Sequence, residues 1–296
     1  MNKSFTLIEI LVVIVIIGIL SGFIIVSMAG VSSKATIAKG QVFASSLKNA
    51  LLVNLVSEWR LDEGSGAAAK DQWGVNDGTL TNSPTWVTSN CVSGNCVSFD
   101  GINDYIACGS ASTLNITKHL TIGAWVKMTI ASYSQPIAGN WYYANAGDQE
   151  GYRLDKDTND KARLYIHRSE GGDNGVSSTT SINNGAWHYL VGTFIPSTSI
   201  RIYVDGVLEN TNTTTITASI QPSTRTFNIG YYYANGDYYF TGTIDDVRVY
   251  NEAIPTSRVQ ENYYSGLNRL LLSNGVVSEE YQQRLKEFIV LHPVDK

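Results

Sequence analysis

The chain has 296 residues, 43% of them hydrophobic and 16% charged, enough apolar material for about two folded domains and too little charge for a disordered tail. The formal net charge of −5 argues against the basic face of a nucleic-acid binder and against a polybasic membrane-surface protein. Three cysteines allow one disulfide and one leftover thiol, and four scattered histidines leave little material for a histidine metal centre.

The apolar residues are unevenly spread. From Ile10 to Val31 there are 22 positions without a charge. A helix of ~20 apolar residues crosses the ~30 Å hydrocarbon layer of a bilayer, so this run is membrane material. Before it stands the short basic stretch Met1-Asn2-Lys3-Ser4; one acid, Glu9, sits at its start, and Lys34 and Lys39 follow it. A plain N-terminal anchor is one reading of this pattern. A cleaved secretory signal ending at Ser27-Met28-Ala29 is a second. The apolar core exceeds the ~7–15 residues of such a signal, and an acid at its start is out of place there.

A third reading accounts for the acid. Lys3-Ser4-Phe5-Thr6-Leu7-Ile8-Glu9, followed at once by an apolar helix, resembles the N-terminus of a type IV prepilin or pseudopilin. The resemblance implies that a prepilin peptidase cuts between Ser4 and Phe5 and that the new amine of Phe5 is methylated. Ser4 stands where the family usually has glycine. Physical chemistry points the same way. An ionised carboxylate in hydrocarbon costs at least ~2.5–3.5 kcal/mol and needs a partner. No lysine or arginine lies within a helical turn of Glu9, so the natural partner is the free amine of Phe5 on another copy of the chain. Gly18 and Gly22 form a small-xxx-small pair that lets helix backbones approach closely, as in side-by-side packing. Further along, Phe43, Leu47, Leu51 and Leu55 recur every four residues as an amphipathic stripe, and no proline interrupts residues 5–54. A helix from Phe5 to Val53 would be ~74 Å long at 1.5 Å per residue.

From Leu55 the period changes to two: Leu55, Trp59 and Leu61 alternate with Val56, Glu58, Arg60 and Asp62. Alternating or β-branched runs follow at Thr121–Met128, Tyr152–Leu154, Arg163–His167, Trp187–Phe194, Ile200–Val204, Phe227–Gly230 and Thr243–Tyr250. Between them lie Asp157-Thr158-Asn159-Asp160, Asn183-Asn184-Gly185, Asp205-Gly206 and Asn235-Gly236, and Asp-Gly and Asn-Gly pairs are strong hairpin signals. The spacing predicts an antiparallel sandwich. Asp155, Asp157 and Asn159 mimic the start of a helix–loop–helix calcium loop, but Asp160 stands where glycine is needed and Ile166 where glutamate is, so the segment reads as a hairpin turn.

Glu58-Trp59-Arg60-Leu61-Asp62-Glu63-Gly64-Ser65-Gly66, Phe99-Asp100-Gly101-Ile102-Asn103-Asp104-Tyr105-Ile106, Ala124-Trp125-Val126, Trp187-His188-Tyr189, Ile202-Tyr203-Val204-Asp205-Gly206 and Ile244-Asp245-Asp246-Val247-Arg248-Val249-Tyr250-Asn251 occur in this order. As a set they resemble the laminin G-like, concanavalin A-like jelly-roll domains of surface proteins, over roughly residues 55–252. The resemblance implies a two-sheet sandwich with a curved face, and often a structural calcium where the first and last strands pair. On that basis Asp71, Asn76 and Asp245 are the expected side-chain ligands, with carbonyls near Gly74; strand alternation lets only one of Asp245 and Asp246 point inward. Turn-capping acids without an ion are the other reading.

Glycosidases on this fold place two carboxylates on one strand of the concave face. No Glu-x-Asp-x-Glu pattern occurs here, nor a Gly-x-Ser-x-Gly elbow, and His167 and His188 read as core or edge residues, so no catalytic residue is expected. A binding patch is suggested by Trp141-Tyr142-Tyr143, Tyr231-Tyr232-Tyr233 and Tyr238-Tyr239 beside Asn140, Asn145, Asp148, Asn235 and Asp237. Rings pack on apolar sugar faces while amides and carboxylates take hydroxyls. Trp141, Tyr143, Tyr232 and Asp237 are the candidate contacts, against the alternative of aromatic side chains buried in a core or between subunits. Cys91 and Cys96 flank a turn and could close a short disulfide loop, which suits a compartment outside the cytoplasm and leaves Cys108 unpaired. After Pro255, Val259, Tyr263, Leu267, Leu270 and Leu271 make one helix face up to Gly275, and Ser278 caps a second helix with Glu279 and Glu280 at its positive end and Tyr281, Leu285, Phe288 and Ile289 on its apolar side.

The expected fold is α+β: a leader over 1–4, a membrane and filament-core helix over 5–54, an antiparallel jelly roll over 55–252, and a C-terminal helical pair over 253–296. The expected function is a non-enzymatic subunit of a type IV pilus-like surface filament with a lectin-like head for adhesion. The alternatives are a pseudopilin of a secretion or DNA-uptake system, or a membrane-anchored carbohydrate-binding protein that does not polymerise. The expected partners are copies of the chain, the prepilin peptidase, the inner membrane before assembly, and surface glycans; calcium is the one expected cofactor, and no nucleic acid is expected.

Overall fold

The computed structural model describes residues 54–109, 112–128, 132–145, 150–273 and 276–291. The expected leader, the cleavage site, Glu9, Gly18, Gly22 and the N-terminal helix up to Val53 lie outside them. Among the described residues no helix is long and apolar enough to cross a membrane.

Two eight-stranded antiparallel sheets face each other. In order across the first sheet run Val207–Asn212, Ser199–Val204, Trp187–Ile195, Leu120–Met128, Thr241–Tyr250, Cys96–Asp100 and Thr85–Val87, with Leu55–Trp59 also paired to Thr241–Tyr250. Across the second run Asp173–Ser181, Lys161–His167, Tyr152–Lys156, Gln135–Gly139, Asn228–Ile229, Tyr105–Ala107, Gly78–Thr81 and Ala68–Ala69. A small third sheet, Asp237–Tyr239, Tyr231–Ala234 and Tyr142–Tyr143, continues beyond the second. The first and last strands of the domain pair, Leu55 opposite Tyr250 and Trp59 opposite Val247, as the jelly-roll resemblance implied.

The core lies between the two sheets. Trp59 stacks on Phe227 at 5.3 Å, and Phe99 meets Phe240 edge-on at 5.9 Å. Alternation is clean on Lys161–His167, where Ala162, Leu164 and Ile166 enter the core. It is lost on Leu120–Met128 and Trp187–Ile195, which are buried almost throughout because both their faces are covered.

The cover on the outer face is helix α1 (Thr256–Leu272), followed by α2 (Ser278–Leu291). Helix α1 buries Val259, Tyr263, Leu267 and Leu270, the face read from their spacing. Tyr263 stacks on Trp125 at 5.6 Å, and Trp125 packs on Tyr189 at 5.3 Å. Gly266 lets the helix backbone touch the Trp125 ring: a Cβ there would come within 2.5 Å of it. Arg284 of α2 donates from Nη1 to the carbonyl of Trp187 at 2.8 Å.

The turns follow their residues. Asp205 and Gly206 adopt φ of 51° and 80° and close a two-residue hairpin with Val204 opposite Val207. Asp157–Asp160 is a hairpin turn, its Asp160 at φ 62°. Asn184-Gly185 is a correction. It joins Asp173–Ser181 of the second sheet to Trp187–Ile195 of the first, so it is a crossover between layers, since each flanking strand already has its neighbour elsewhere.

Substituting Gly266 with alanine tests the helix contact. In an open helix Gly→Ala stabilises by up to ~1 kcal/mol. Here the overlap with Trp125 should reverse the sign and destabilise by about 1–3 kcal/mol, read as a lower thermal midpoint.

Candidate functional site

With α1 and α2 on the first sheet, the second sheet and its tyrosine-rich extension carry the open face. On Tyr152–Lys156 the core takes Tyr152 and Leu154, so Arg153 and Asp155 turn outward; on the neighbouring strand Arg163 and Tyr165 do the same. The register sets Asp155 opposite Arg163 and Arg153 opposite Tyr165. Asp155 is fully buried and holds both guanidinium groups. Arg153 Nε donates to its Oδ2 at 2.8 Å, Arg163 Nε to its Oδ1 at 2.9 Å, and Arg163 Nη2 to its Oδ2 at 2.7 Å. Burial alone would raise the Asp155 carboxyl, but the charges and hydrogen bonds of Arg153 and Arg163 outweigh it and hold the carboxyl below its usual range.

Rings surround Arg153. Its Cζ lies 4.4 Å from the ring centroid of Trp141, 4.5 Å from that of Tyr232 and 4.6 Å from that of Tyr165. Burial, with Asp155 nearby, pushes the Tyr232 hydroxyl up to about 12. Tyr165 donates to Asp173 Oδ2 at 3.2 Å, and His167 Nδ1 lies 2.7 Å from Asp173 Oδ1. On the rim, Arg225 lies over Tyr142 at 3.7 Å and pairs with Glu150 at 2.8 Å.

Of the four ligand contacts expected from sequence, Trp141 and Tyr232 meet on Arg153, but both are buried, at 5% and 4% exposure, and are not open platforms. Tyr143, paired with Ala234, shares the face of Tyr232. Asp237 is set apart from them: it pairs with Tyr233 on the reverse face, where Tyr231 donates to it at 2.8 Å. The sequence reading missed Arg153, Asp155, Arg163 and Tyr165. The one signal was charge at alternate positions, Arg153, Asp155 and Arg163, and nothing marked Tyr165.

The residues expected to hold calcium are turn and loop holders in this structure. Asp71 Oδ1 accepts from the amides of Glu58, Trp73 and Gly74, and its Oδ2 accepts from that of Asn76. Asn76 donates to Ser57 and accepts from Thr113. Asp245 stands at a different segment, its Oδ2 accepting from the amides of Val92 and Ser93 at 2.8 and 3.1 Å. Four N–H donors around Asp71 suit a carboxylate and do not fit a cation that wants six to eight oxygens. Among the described residues, no group of three or more His, Cys, Asp or Glu could hold a metal ion.

Regular strand alternation, which would point one of Asp245 and Asp246 inward, does not hold here. Ile244 and Val247 both enter the core, so the two aspartates between them face outward together. A bulge makes this possible: the register against Leu120–Met128 slips between Asp245 and Arg248, and Asp246 has φ 51°. The loop over Asp245 carries the Cys91–Cys96 disulfide, with Cα atoms 5.6 Å apart, and Cys108 is a buried free thiol.

The architecture is that of a two-sheet jelly roll with an aromatic and arginine-rich open face. Residues 100–260 match the model of the concanavalin A-like lectin/glucanases superfamily, more than half of the chain, and the chain belongs to that superfamily. Residues 1–25 match the prokaryotic N-terminal methylation motif. A search of curated proteins found no match. Among solved structures, the binding domain of Paraclostridial Mosquitocidal Protein 1 is similar at 14% identity and a TM-score of 0.58, covering 74% of this chain and 53% of that one. A Trypanosoma rangeli sialidase mutant displaying trans-sialidase activity is similar at 18% identity and 0.54, covering 74% and 34%. The binding domain of Botulinum neurotoxin serotype G is similar at 11% and 0.54, covering 72% and 51%. At these identities the likeness is one of fold. The chain spans about half the length of the toxin binding domains and a third of the sialidase.

Asp245 supplies a test of the buried loop. Its Oδ1 is buried without a hydrogen-bond partner. Burial first, and then the charge of Asp246, raise its carboxyl well above the ordinary value, against the lowering effect of the Ser93 and Val92 amides. A raised folded-state value means that stability is complete below the unfolded value, near ~3.9, and is lost as pH rises above it. Asp245→Asn should therefore melt ~2–4 °C above the parent at pH 7, with the gap closing toward pH ~4. Thermal melts of both proteins across that range check it.

Proposed function

We propose that the chain is a structural subunit of a type IV pilus-like surface filament whose jelly-roll head binds carbohydrate. The methylation motif carries this reading: it implies a prepilin-type precursor held in the membrane, cut and methylated at Phe5 and then assembled from many copies. Glu9 supplies the assembly chemistry. A carboxylate in hydrocarbon seeks a cation, and the methylated amine of Phe5 on the neighbouring subunit is the nearest one the family's processing creates. Gly18 and Gly22 then allow adjacent helices to approach.

The head supports a binding role. Its superfamily includes lectins, and two of the similar structures are described as binding domains. Sialidases also appear among the similar structures, so the fold by itself does not decide for or against catalysis. The open face favours binding: its fully buried carboxylate, Asp155, is held by two arginines that lower its carboxyl below the usual range. Adhesion through this face is the function that joins the two halves of the chain.

Imaging of surface filaments in cells expressing the parent and Glu9→Val tests the assembly half. The parent should form filaments whose subunits begin at methylated Phe5 by mass spectrometry. Glu9→Val should abolish them while the precursor still accumulates in the membrane. Equal assembly by the variant, or a mature chain that begins at Met1 or after Ala29, would sink the reading.

A further inference from the structure

The Arg153 cluster has a property that an apolar sugar platform lacks. Arg153 keeps only 8% of its surface exposed, yet only part of its hydrogen-bonding capacity is used. Nε is taken by Asp155, and three rings pack against the planar group. Among the described residues Nη1 and Nη2 have no hydrogen-bond acceptor, and neither is one of the buried unpartnered atoms, so both still reach solvent. With its faces against rings and one edge on Asp155, the group can meet a ligand only edge-on, through the Nη pair. That is the geometry in which guanidinium binds two oxygens of one oxyanion with parallel hydrogen bonds.

The local charge agrees. Asp155 is the one carboxylate paired with Arg153 among the described residues, and it is shared with Arg163, on which Asp157 also acts. The nearby Asp173 is engaged by the Tyr165 hydroxyl and by His167 and does not reach Arg153. Beside the same guanidinium, Trp141 Nε1 is buried and has no acceptor, a second donor in want of one. An oxyanion would meet the open Nη donors with charge-assisted hydrogen bonds, which are stronger than those to a neutral hydroxyl.

We infer that the Arg153 site, on the reading that the head binds carbohydrate, takes an acidic sugar: a ring bearing one carboxylate or sulfate ester, its oxyanion on Arg153 Nη1 and Nη2 and its apolar face against the rim rings.

The test is calorimetric titration of full-length protein in detergent with trigalacturonate and with sulfated lactose, against maltotriose and lactose as neutral controls. An acidic sugar should bind about tenfold or more tightly than its neutral control, the scale of a charge-assisted pair. Arg153→Gln should bring acidic sugars down to the level of the neutral ones. Arg153→Lys, which keeps the charge and loses the fork, should fall between them, with a cooperative melt showing that it is folded. It decides the matter alone if Arg153→Gln fails to fold. Binding by trigalacturonate alone points to a carboxylate, by sulfated lactose alone to a sulfate, and either supports the site. Equal binding of acidic and neutral sugars, or unchanged binding by both variants, overturns the acidic assignment and leaves the carbohydrate reading standing. Binding of no sugar at all overturns both.

Discussion

The architecture of the head depends on one buried carboxylate, Asp246. Held on a bulge in the last strand, it pairs with Arg248 at 2.9 Å on its own strand and with Arg269 of α1 at 2.7 Å. Arg248 in turn pairs with Glu58 of the first strand at 2.7 Å. Four side chains thus join the first strand, the last strand and the C-terminal helix. Removing one member of such a buried network leaves the others as uncompensated charge, which costs far more than a surface pair contributes. The bulge is what makes this geometry available, because a regular strand would turn Asp246 into the apolar core.

That pin determines which face of the sandwich is free. With α1 fastened over the first sheet and Gly266 against Trp125, the outer side of that sheet becomes a second core. Trp125, Tyr189 and Tyr263 are its buried packing. The second sheet keeps the open face, and its polar centre is built on the same principle as the Asp246 network: one buried carboxylate shared by two arginines. The two differ in what closes over them. Helix α1 seals Asp246, whereas the cluster at Asp155 is walled only by rings and leaves the outer edge of Arg153 toward solvent.

Several features of the domain were legible from residue pattern alone. The period of two from Leu55, the Asp205-Gly206 hairpin, the Asp157–Asp160 turn, the close Cys91–Cys96 pair and the face of α1 all rest on local geometry, and the structure has them. The failures were non-local. Asn184-Gly185 has hairpin chemistry but serves a crossover, because its two flanking strands belong to different sheets. Asp71 has the look of a metal ligand but accepts four backbone amides, which the sequence does not show converging. The tyrosine runs drew attention as a binding patch, whereas the chemically distinctive group among them is an arginine from another strand.

The sequence by itself determined that the chain joins a charge-free N-terminal run bearing one acid to a β-rich head, since hydropathy, strand period and turn residues are read within a few neighbours. Only the tertiary structure decided which carboxylates are spent on arginines or amides, which aromatic rings are buried, and which guanidinium edge stays open. Those properties depend on what strands and helices from distant parts of the chain bring to one point, and the free energy of a buried charge is set by that company.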